Sequence, residues 1–237
     1  MEHKEEVVHI HGCGSALDEN AALSEMLQDG NNQLRHLIWH YQGNHVVLGR
    51  SQKPTDAMQL RAQQYDVGVC QRLSGGGAVL ASEGLVSVST VIPTAHPMAH
   101  NDLIACFQLF GAIWQAALSD LGVPTRVCDK VDKGPEKHQW QCFAGASHGE
   151  LFDTQNRKLV GLAQVRKRHA IAVMMGVYVQ PVDWLSLHQI YLGYTEKQDV
   201  EWIKNRTSHL TAYASVQDLT GLMQRVDEYL IKHRMHI

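Results

Sequence analysis

The sequence lacks a strong net charge, a long apolar run and an apolar leader. Its 21 Lys and Arg against 24 Asp and Glu give a net charge of −3, which offers no general attraction to nucleic acid. We see no apolar run of the roughly 18 to 20 residues that a bilayer span needs. Residues 1–6 are mostly charged, unlike a signal peptide. We therefore expect a cytoplasmic protein with neither nucleic-acid nor membrane partners.

Cysteines are few, odd in number, and never spaced as C-x-x-C. The five are Cys13, Cys70, Cys106, Cys128 and Cys142. Neither a disulfide framework nor a thiolate zinc site is expected from this pattern. Histidines are more frequent, at 15, but the i,i+4 pairs at 36/40 and 96/100 fall in a predicted strand and around a proline. The spacing therefore predicts no metal site.

Hydrophobic residues make up 44% of the chain, enough for a full core in one domain spanning 1–237. Alternating or short apolar runs predict strands at 7–11, 36–40, 45–49, 67–71, 78–80, 85–92, 150–152, 158–165 and 171–179. Helical spacing predicts helices at 15–28, 54–65, 101–121 and 215–232. Ser15 is the predicted cap of the first, with Asp18 in its first turn, and Ser215 with Asp218 resembles a capping box at the start of the last.

Short connections favour antiparallel pairing. The strands at 78–80 and 85–92 are predicted to pair, and a turn at 153–156 is predicted to join those at 150–152 and 158–165 as a hairpin. In the last strand one face is predicted to carry Ile171, Val173, Met175, Val177 and Val179. The predicted class is α+β, with a mainly antiparallel or mixed β-sheet covered by two or three helices.

A run of glycines after a strand is the first candidate site. Gly75, Gly76 and Gly77 let the backbone approach a ligand closely, and Arg72 adds a positive charge with a planar donor fork. The spacing matches neither a P-loop nor a dinucleotide-binding fingerprint. A flexible hairpin loop is the alternative interpretation.

Two further candidates follow along the chain. Lys158 begins a predicted hairpin strand, where a solvated lysine would be ordinary, but Gly161 and Ala163 leave one face of that strand small. A narrow slot for a chain-like substrate could pass over them. Cys142 follows a polar stretch on a predicted loop, where a nearby lysine would favour its thiolate and nucleophilic attack. Otherwise it is an inert loop residue.

These pieces occur in one order that resembles a known family. The motifs are Trp39, Leu48-Gly49-Arg50-Ser51-Gln52, Arg72-Leu73-Ser74-Gly75-Gly76-Gly77-Ala78-Val79 and Lys158-x-x-Gly161-x-Ala163-Gln164. The series is similar to the biotin/lipoate A/B protein ligase and transferase family, and Cys142 stands where its cysteine-dependent octanoyltransferases carry their cysteine. The resemblance implies an α+β catalytic domain that attaches octanoyl or lipoyl groups to a lysine of a lipoyl domain.

For this chain the resemblance implies acyl transfer through a thioester on Cys142, with Lys158 stabilising the oxyanion and the thiolate. The residues expected to position the substrate are Arg72, Ser74, Gly75, Gly76, Gly77, Ala78, Val79, Gly161 and Ala163. The implied partners are an acyl carrier protein or an octanoylated or lipoylated donor protein, and a lipoyl-domain acceptor. No cofactor is required.

Two alternatives remain open. In an ATP-dependent lipoate–protein ligase, amides of Gly77 to Leu80 would hold an acyl-adenylate with ATP and Mg²⁺, and Cys142 would be inert. A non-catalytic paralogue would bind acyl groups or lipoyl domains without forming thioester or amide.

Overall fold

A computed structural model describes residues 7–99, 102–213 and 219–234. Ten strands in these ranges form a large and a small sheet. They are β1 Val8–Gly14, β2 Arg35–Tyr41, β3 Asn44–Leu48, β4 Val67–Gln71, β5 Val79–Ala81, β6 Leu85–Pro93, β7 Thr125–Val127, β8 Leu151–Asp153, β9 Lys158–Arg166 and β10 Ala170–Tyr178. The large sheet has the order β1-β2-β6-β10-β9-β8-β7, and the small one β4-β3-β5.

The described ranges contain six α-helices, two more than the four that the sequence predicted. They are α1 Ala16–Met26, α2 Asp56–Gln64, α3 Leu103–Asp120, α4 Trp184–Leu192, α5 Lys197–Lys204 and α6 Leu219–Arg234. Sequence reasoning missed α4 and α5, which are only 9 and 8 residues long, shorter than the stretch over which a helical period can be recognised. The predicted capping box at 215–218 lies outside the described residues.

Strand pairing is mixed, as predicted, but two expected neighbours are separated. β1 pairs with β2, and β3 with β4, in parallel, while the remaining ladders are antiparallel. The short connections from β2 to β3 and from β5 to β6 cross between the sheets. The prediction that the strands at 78–80 and 85–92 pair is therefore wrong. All nine residues of β6 are buried, and β2 and β10 supply the long ladders at its two edges.

Helices cover both faces of the large sheet, so its central strands are apolar throughout. Along β10 and at the residue after it, the alternating set Ile171, Val173, Met175, Val177 and Val179 faces the core beneath α3 and α6, as predicted. The residues between them face a second core that contains α1, α2, α4 and the small sheet. The slot and the loops described below lie on this second side.

Helix α3 corrects the expectation that no apolar segment is long enough to span a bilayer. It has 18 residues and a mean hydropathy of 1.3, which by length and composition alone would suffice to cross a membrane. Phe110, Ile113 and Trp114 on its apolar face are fully buried in the core shared with α6. We interpret α3 as a core helix.

Candidate active site

The glycine loop and the cysteine loop are joined by their backbones. The Ala78 amide donates to the carbonyl oxygen of Trp140 over 2.7 Å, and the Cys142 amide donates to the carbonyl oxygen of Ala78 over 2.9 Å. Cys142 begins a single 3₁₀ turn that ends at Ala144. The two segments that the sequence singled out separately therefore form one unit.

Gly77 is required at this junction because the two backbones nearly touch. A β-carbon on Gly77 would lie 2.6 Å from the carbonyl carbon of Gln141 and 2.7 Å from the amide nitrogen of Cys142. Distances this short cannot be accommodated without moving the cysteine loop. A β-carbon on Gly75 would meet no heavy atom within 4 Å.

We expect Gly77→Ala to lower the rate of the acylation that the sequence predicts for Cys142 by about 10²-fold, because a displacement near 1 Å at a reacting group has that effect. Gly75→Ala is the matched control for the fold, and its melting temperature should equal that of the wild type. Acylation rate and melting temperature should be measured on both variants. Wild-type acylation by Gly77→Ala would show that the close approach does not position the cysteine.

Arg72 lies against the glycine loop. Its guanidinium donates to the carbonyl oxygen of Gly75 over 2.8 Å and to that of Gly77 over 2.9 Å, and the residue is 9% exposed. Gly76, between them, has φ +100°, a conformation that glycine adopts readily. In this state Arg72 holds the shape of the loop, and its predicted contact with a substrate stays a prediction.

The Gly49–Gln52 motif supports the same junction. The Gln52 side-chain amide donates to the carbonyl oxygen of Trp140 over 2.7 Å and to the Tyr191 hydroxyl over 2.9 Å. The Trp140 and Tyr191 rings stack with centroids 4.2 Å apart. Tyr191 belongs to α4, so a helix that sequence reasoning missed fixes the loop before the cysteine.

Lys158 is buried, with 1% of the residue exposed, which excludes the solvated hairpin lysine. Its ammonium lies 2.7 Å from Oε1 of Glu150 and donates to the carbonyl oxygens of Cys142 and Gly145 over 2.9 and 3.3 Å. An ammonium has three N–H donors, and these three acceptors match them. Lys158 thus ties β9 to the cysteine loop and places a positive charge beside the backbone of Cys142.

Cys142 lines two cavities, one open and one narrow. The outer cleft, of about 520 Å³, is bordered by the three glycines and Lys158. The inner pocket, of about 60 Å³, runs under Gly161 and Ala163 toward Met174. A thiol at this position can meet a carbonyl that enters from the cleft while an apolar chain extends inward.

Comparison with known proteins places this geometry in a family. The model of the lipoyl protein ligase A/B catalytic domain matches residues 16–233. The chain belongs to this family. The family resemblance and the α+β fold predicted from the sequence are thereby confirmed.

Two relatives match this chain over different lengths and at different sequence identities. The chain is 25% identical over 193 residues to an octanoyltransferase LipM of Exiguobacterium sp., covering 77% of this chain and 69% of the relative. It is 32% identical over 124 residues to an octanoyltransferase LipM of Moorella thermoacetica, covering 52% and 45%. The latter match spans less than half of that relative.

Among solved structures, protein Ta0514 of T. acidophilum with bound lipoic acid has the same fold. Its TM-score is 0.67 at 14% identity, over 98% of this chain and 86% of that one. At this identity the likeness concerns the fold alone.

The structure of this lipoyl-ligase family member brings together the predicted site residues. Ser74 is buried and lines the inner pocket, and its hydroxyl has no hydrogen-bond partner. Ala78 uses its amide to bind Trp140, and Val79 begins β5 beside the inner pocket. A β-carbon on Gly161 would make only ordinary contacts, the nearest 3.5 Å from Lys158. The missing side chain of Gly161 therefore leaves open space, and it is not needed to avoid a clash.

Sequence reasoning missed two buried acids of the site. Glu150 was assigned only to a strand, although the predicted hairpin at 153–156 brings position 150 near the start of β9. Glu19 lies in α1, whose start is fixed by the predicted cap at Ser15 with Asp18, and it reaches the inner pocket. No sequence pattern marks a helix glutamate that points inward.

At the inner pocket the Tyr41 hydroxyl donates to Oε2 of Glu19. Burial raises the pKa of Glu19, although the hydroxyls of Ser87 and Tyr41 and the charge of Arg72 oppose the shift. The folded protein therefore holds this proton more tightly than the unfolded chain does. Its contribution to stability is full at low pH and is lost as pH rises through the folded-state pKa.

We expect Glu19→Gln to raise the melting temperature relative to wild type at pH values above that pKa. The variant should also lose less stability than wild type as pH rises. Glutamine keeps an acceptor for Tyr41 without a charge to bury. For a chain of this size, each kcal/mol corresponds to about 2–4 °C. Glu25→Gln, on the exposed side of α1, is the control. Parallel wild-type and Glu19→Gln curves across pH would contradict the assignment.

Proposed function

We propose that this protein transfers an octanoyl or lipoyl group through a thioester on Cys142 to a lysine of a lipoyl domain. The observation that carries the proposal is that Cys142 lies between the open cleft and the narrow inner pocket. Relatives named octanoyltransferase support the acyl group and the reaction class. This agrees with the acyltransferase predicted from the sequence.

The reaction has two acyl-transfer steps. The Cys142 thiolate attacks the carbonyl of the donor, an acyl carrier protein or an octanoylated or lipoylated protein, and the donor's thiol or amine leaves with a proton. The acceptor lysine then attacks the thioester as a free amine, forms an amide and releases the Cys142 thiol. A thioester donor supplies the activation, and transfer from an amide donor to an amide product is close to neutral overall, so the proposal requires no cofactor.

Lys158 has a defined way to take part. Its longest hydrogen bond, 3.3 Å to Gly145, is the weakest of the three and can be exchanged for the substrate carbonyl. One N–H would then meet the oxyanion as it forms, while Glu150 and the carbonyl oxygen of Cys142 keep the ammonium in place. This is the electrostatic stabilisation that acyl transfer needs.

The ligase alternative has less support in this geometry. Among the amides it would use for an acyl-adenylate, that of Ala78 is already bound to the carbonyl oxygen of Trp140. ATP and Mg²⁺ would be its required cofactors. The third alternative, a binding paralogue, gives Cys142 and Lys158 no chemical role.

Intact-mass spectrometry distinguishes the three. The chain is incubated with octanoyl-carrier protein without nucleotide, and in parallel with octanoate, ATP and Mg²⁺, each with a lipoyl-domain acceptor. We expect the chain to gain one octanoyl group, removable by hydroxylamine, and the acceptor to be modified, in the first reaction. Modification only in the second would support the ligase, and modification in neither would support the binding paralogue.

A further inference from the structure

Histidines and an aspartate meet at the β1–β2 edge of the large sheet, several strands away from β9. His9 and His36 are register partners on these parallel strands, and Asp227 reaches them from α6. Nε2 of His9 lies 2.6 Å from Oδ2 of Asp227, and Nε2 of His36 lies 3.0 Å from Oδ1. Each of these three residues offers one atom that could bind a metal ion, and in the part of the chain that the structure describes these three atoms all lie within 4.8 Å of one another. The site is empty.

His36 is oriented from behind. Its side chain is fully buried, and its Nδ1 lies 2.9 Å from the hydroxyl oxygen of Thr90, its partner on β6. A threonine hydroxyl can donate or accept, so it satisfies Nδ1 in either tautomer. A hydrogen-bond partner on the far nitrogen is the arrangement that orients metal-binding histidines.

We propose that His9, His36 and Asp227 bind a divalent transition-metal ion, with Zn²⁺ as the probe. Two imidazoles and one carboxylate form a nitrogen-rich set that suits Zn²⁺ and its neighbours, whereas Mg²⁺ and Ca²⁺ require mainly oxygen ligands. No redox change is involved. In the free form each ring donates Nε2–H to Asp227. In the bound form each ring carries its proton on Nδ1 and gives its Nε2 lone pair to the metal.

The neighbouring cavity supplies access and a fourth ligand. It has a volume of about 610 Å³ and is lined by His9, His11 and His40 among apolar residues of β6 and β10. His9 and Asp227 are partly exposed, at 27% and 21% of their side chains. A metal ion can therefore enter from solvent, and a water molecule can complete a tetrahedral set.

The ion would act as a clamp between distant parts of the chain. Its ligands come from positions 9, 36 and 227, so it joins the edge strand β1 to α6, which also packs on α3. Because the unfolded chain holds no such arrangement, binding free energy becomes folding free energy. The proposal is independent of the acyl-transfer function.

The test is the thermal shift of chelator-treated protein on adding Zn²⁺, with metal content measured after dialysis and Co²⁺ absorption as a readout of tetrahedral geometry. His9→Ala and Asp227→Asn are the test variants, and fully buried His36 is left intact to preserve the fold. His11→Ala, two residues from His9 on the same strand face, is the matched control. Mg²⁺ replaces Zn²⁺ in a parallel series.

We expect one Zn²⁺ per chain and a melting temperature that rises with Zn²⁺ concentration in the wild type and in His11→Ala. The rise and the tetrahedral Co²⁺ spectrum should be lost in His9→Ala and Asp227→Asn, and Mg²⁺ should have no effect. A shift of equal size in all four proteins would indicate adventitious binding by other histidines. If the wild type neither bound Zn²⁺ nor changed its melting temperature, the three residues would form only a hydrogen-bonded cluster. Either result overturns the proposal.

Discussion

Cys142→Ser should abolish acyl transfer, with a loss of at least about 10³-fold, while the fold remains intact. A serine hydroxyl is a far weaker nucleophile than a thiolate unless a base activates it. The hydrogen bonds of Cys142 are made by its backbone, through the amide to Ala78 and the carbonyl oxygen to Lys158. The substitution leaves both in place. The measurements are intact mass after incubation with octanoyl-carrier protein and the melting temperature.

Cys13→Ser is the matched control, because Cys13 is an exposed cysteine on β1. It should acquire the octanoyl group as the wild type does. Transfer by Cys142→Ser at a rate near wild type, with thioester donors, would contradict the covalent mechanism. If Cys13→Ser instead failed to acquire the octanoyl group, Cys13 on β1 would be the nucleophile.

Sequence reasoning found the elements of this fold better than their partners. Periodicity is local, so β9, β10 and the hairpin between β8 and β9 were predicted close to their observed bounds. Which strands pair with β6 depends on which strands can form long ladders along its two edges. The length of a connection along the chain does not reveal those partners. For this reason the predicted β5–β6 pair is divided between sheets.

The site was predictable where chemistry left a pattern along the chain. Gly77, Cys142 and Lys158 stand in motifs, and the structure brings them together. Glu150, just before β8, and Glu19, in the first turn of α1, stand in no motif, and only tertiary packing shows that they are buried. The His9, His36 and Asp227 cluster is missed for the same reason, because no spacing relates residues this far apart.

Lys158→Met should both destabilise the protein and stop transfer. It leaves Glu150, 3% exposed, as a buried carboxylate without its cation, and breaking such a pair costs about 3–5 kcal/mol. It also removes the donor proposed for the oxyanion, a further loss of about 10² to 10³ in rate. Melting temperature and rate per folded molecule should be measured separately. Lys158→Arg should not restore the rate, because the larger, rigid guanidinium would misplace its donors in this enclosed position.

The double variant Lys158→Met/Glu150→Gln separates the two effects. Glutamine removes the buried charge and keeps one oxygen, which can accept from the Ser147 amide that donates to Oε2 of Glu150 over 2.8 Å. The Leu162 amide, which donates to Oε1 over 3.3 Å, loses its acceptor. Replacing a buried ion pair by neutral groups is often close to neutral for stability, so the double variant should melt well above Lys158→Met. Its transfer rate should remain as low as that of Lys158→Met, because the ammonium is still absent. Recovery of the rate together with stability would show that Lys158 acts only by holding β9 to the cysteine loop. A stable protein that forms no thioester would instead assign Lys158 to the chemistry itself.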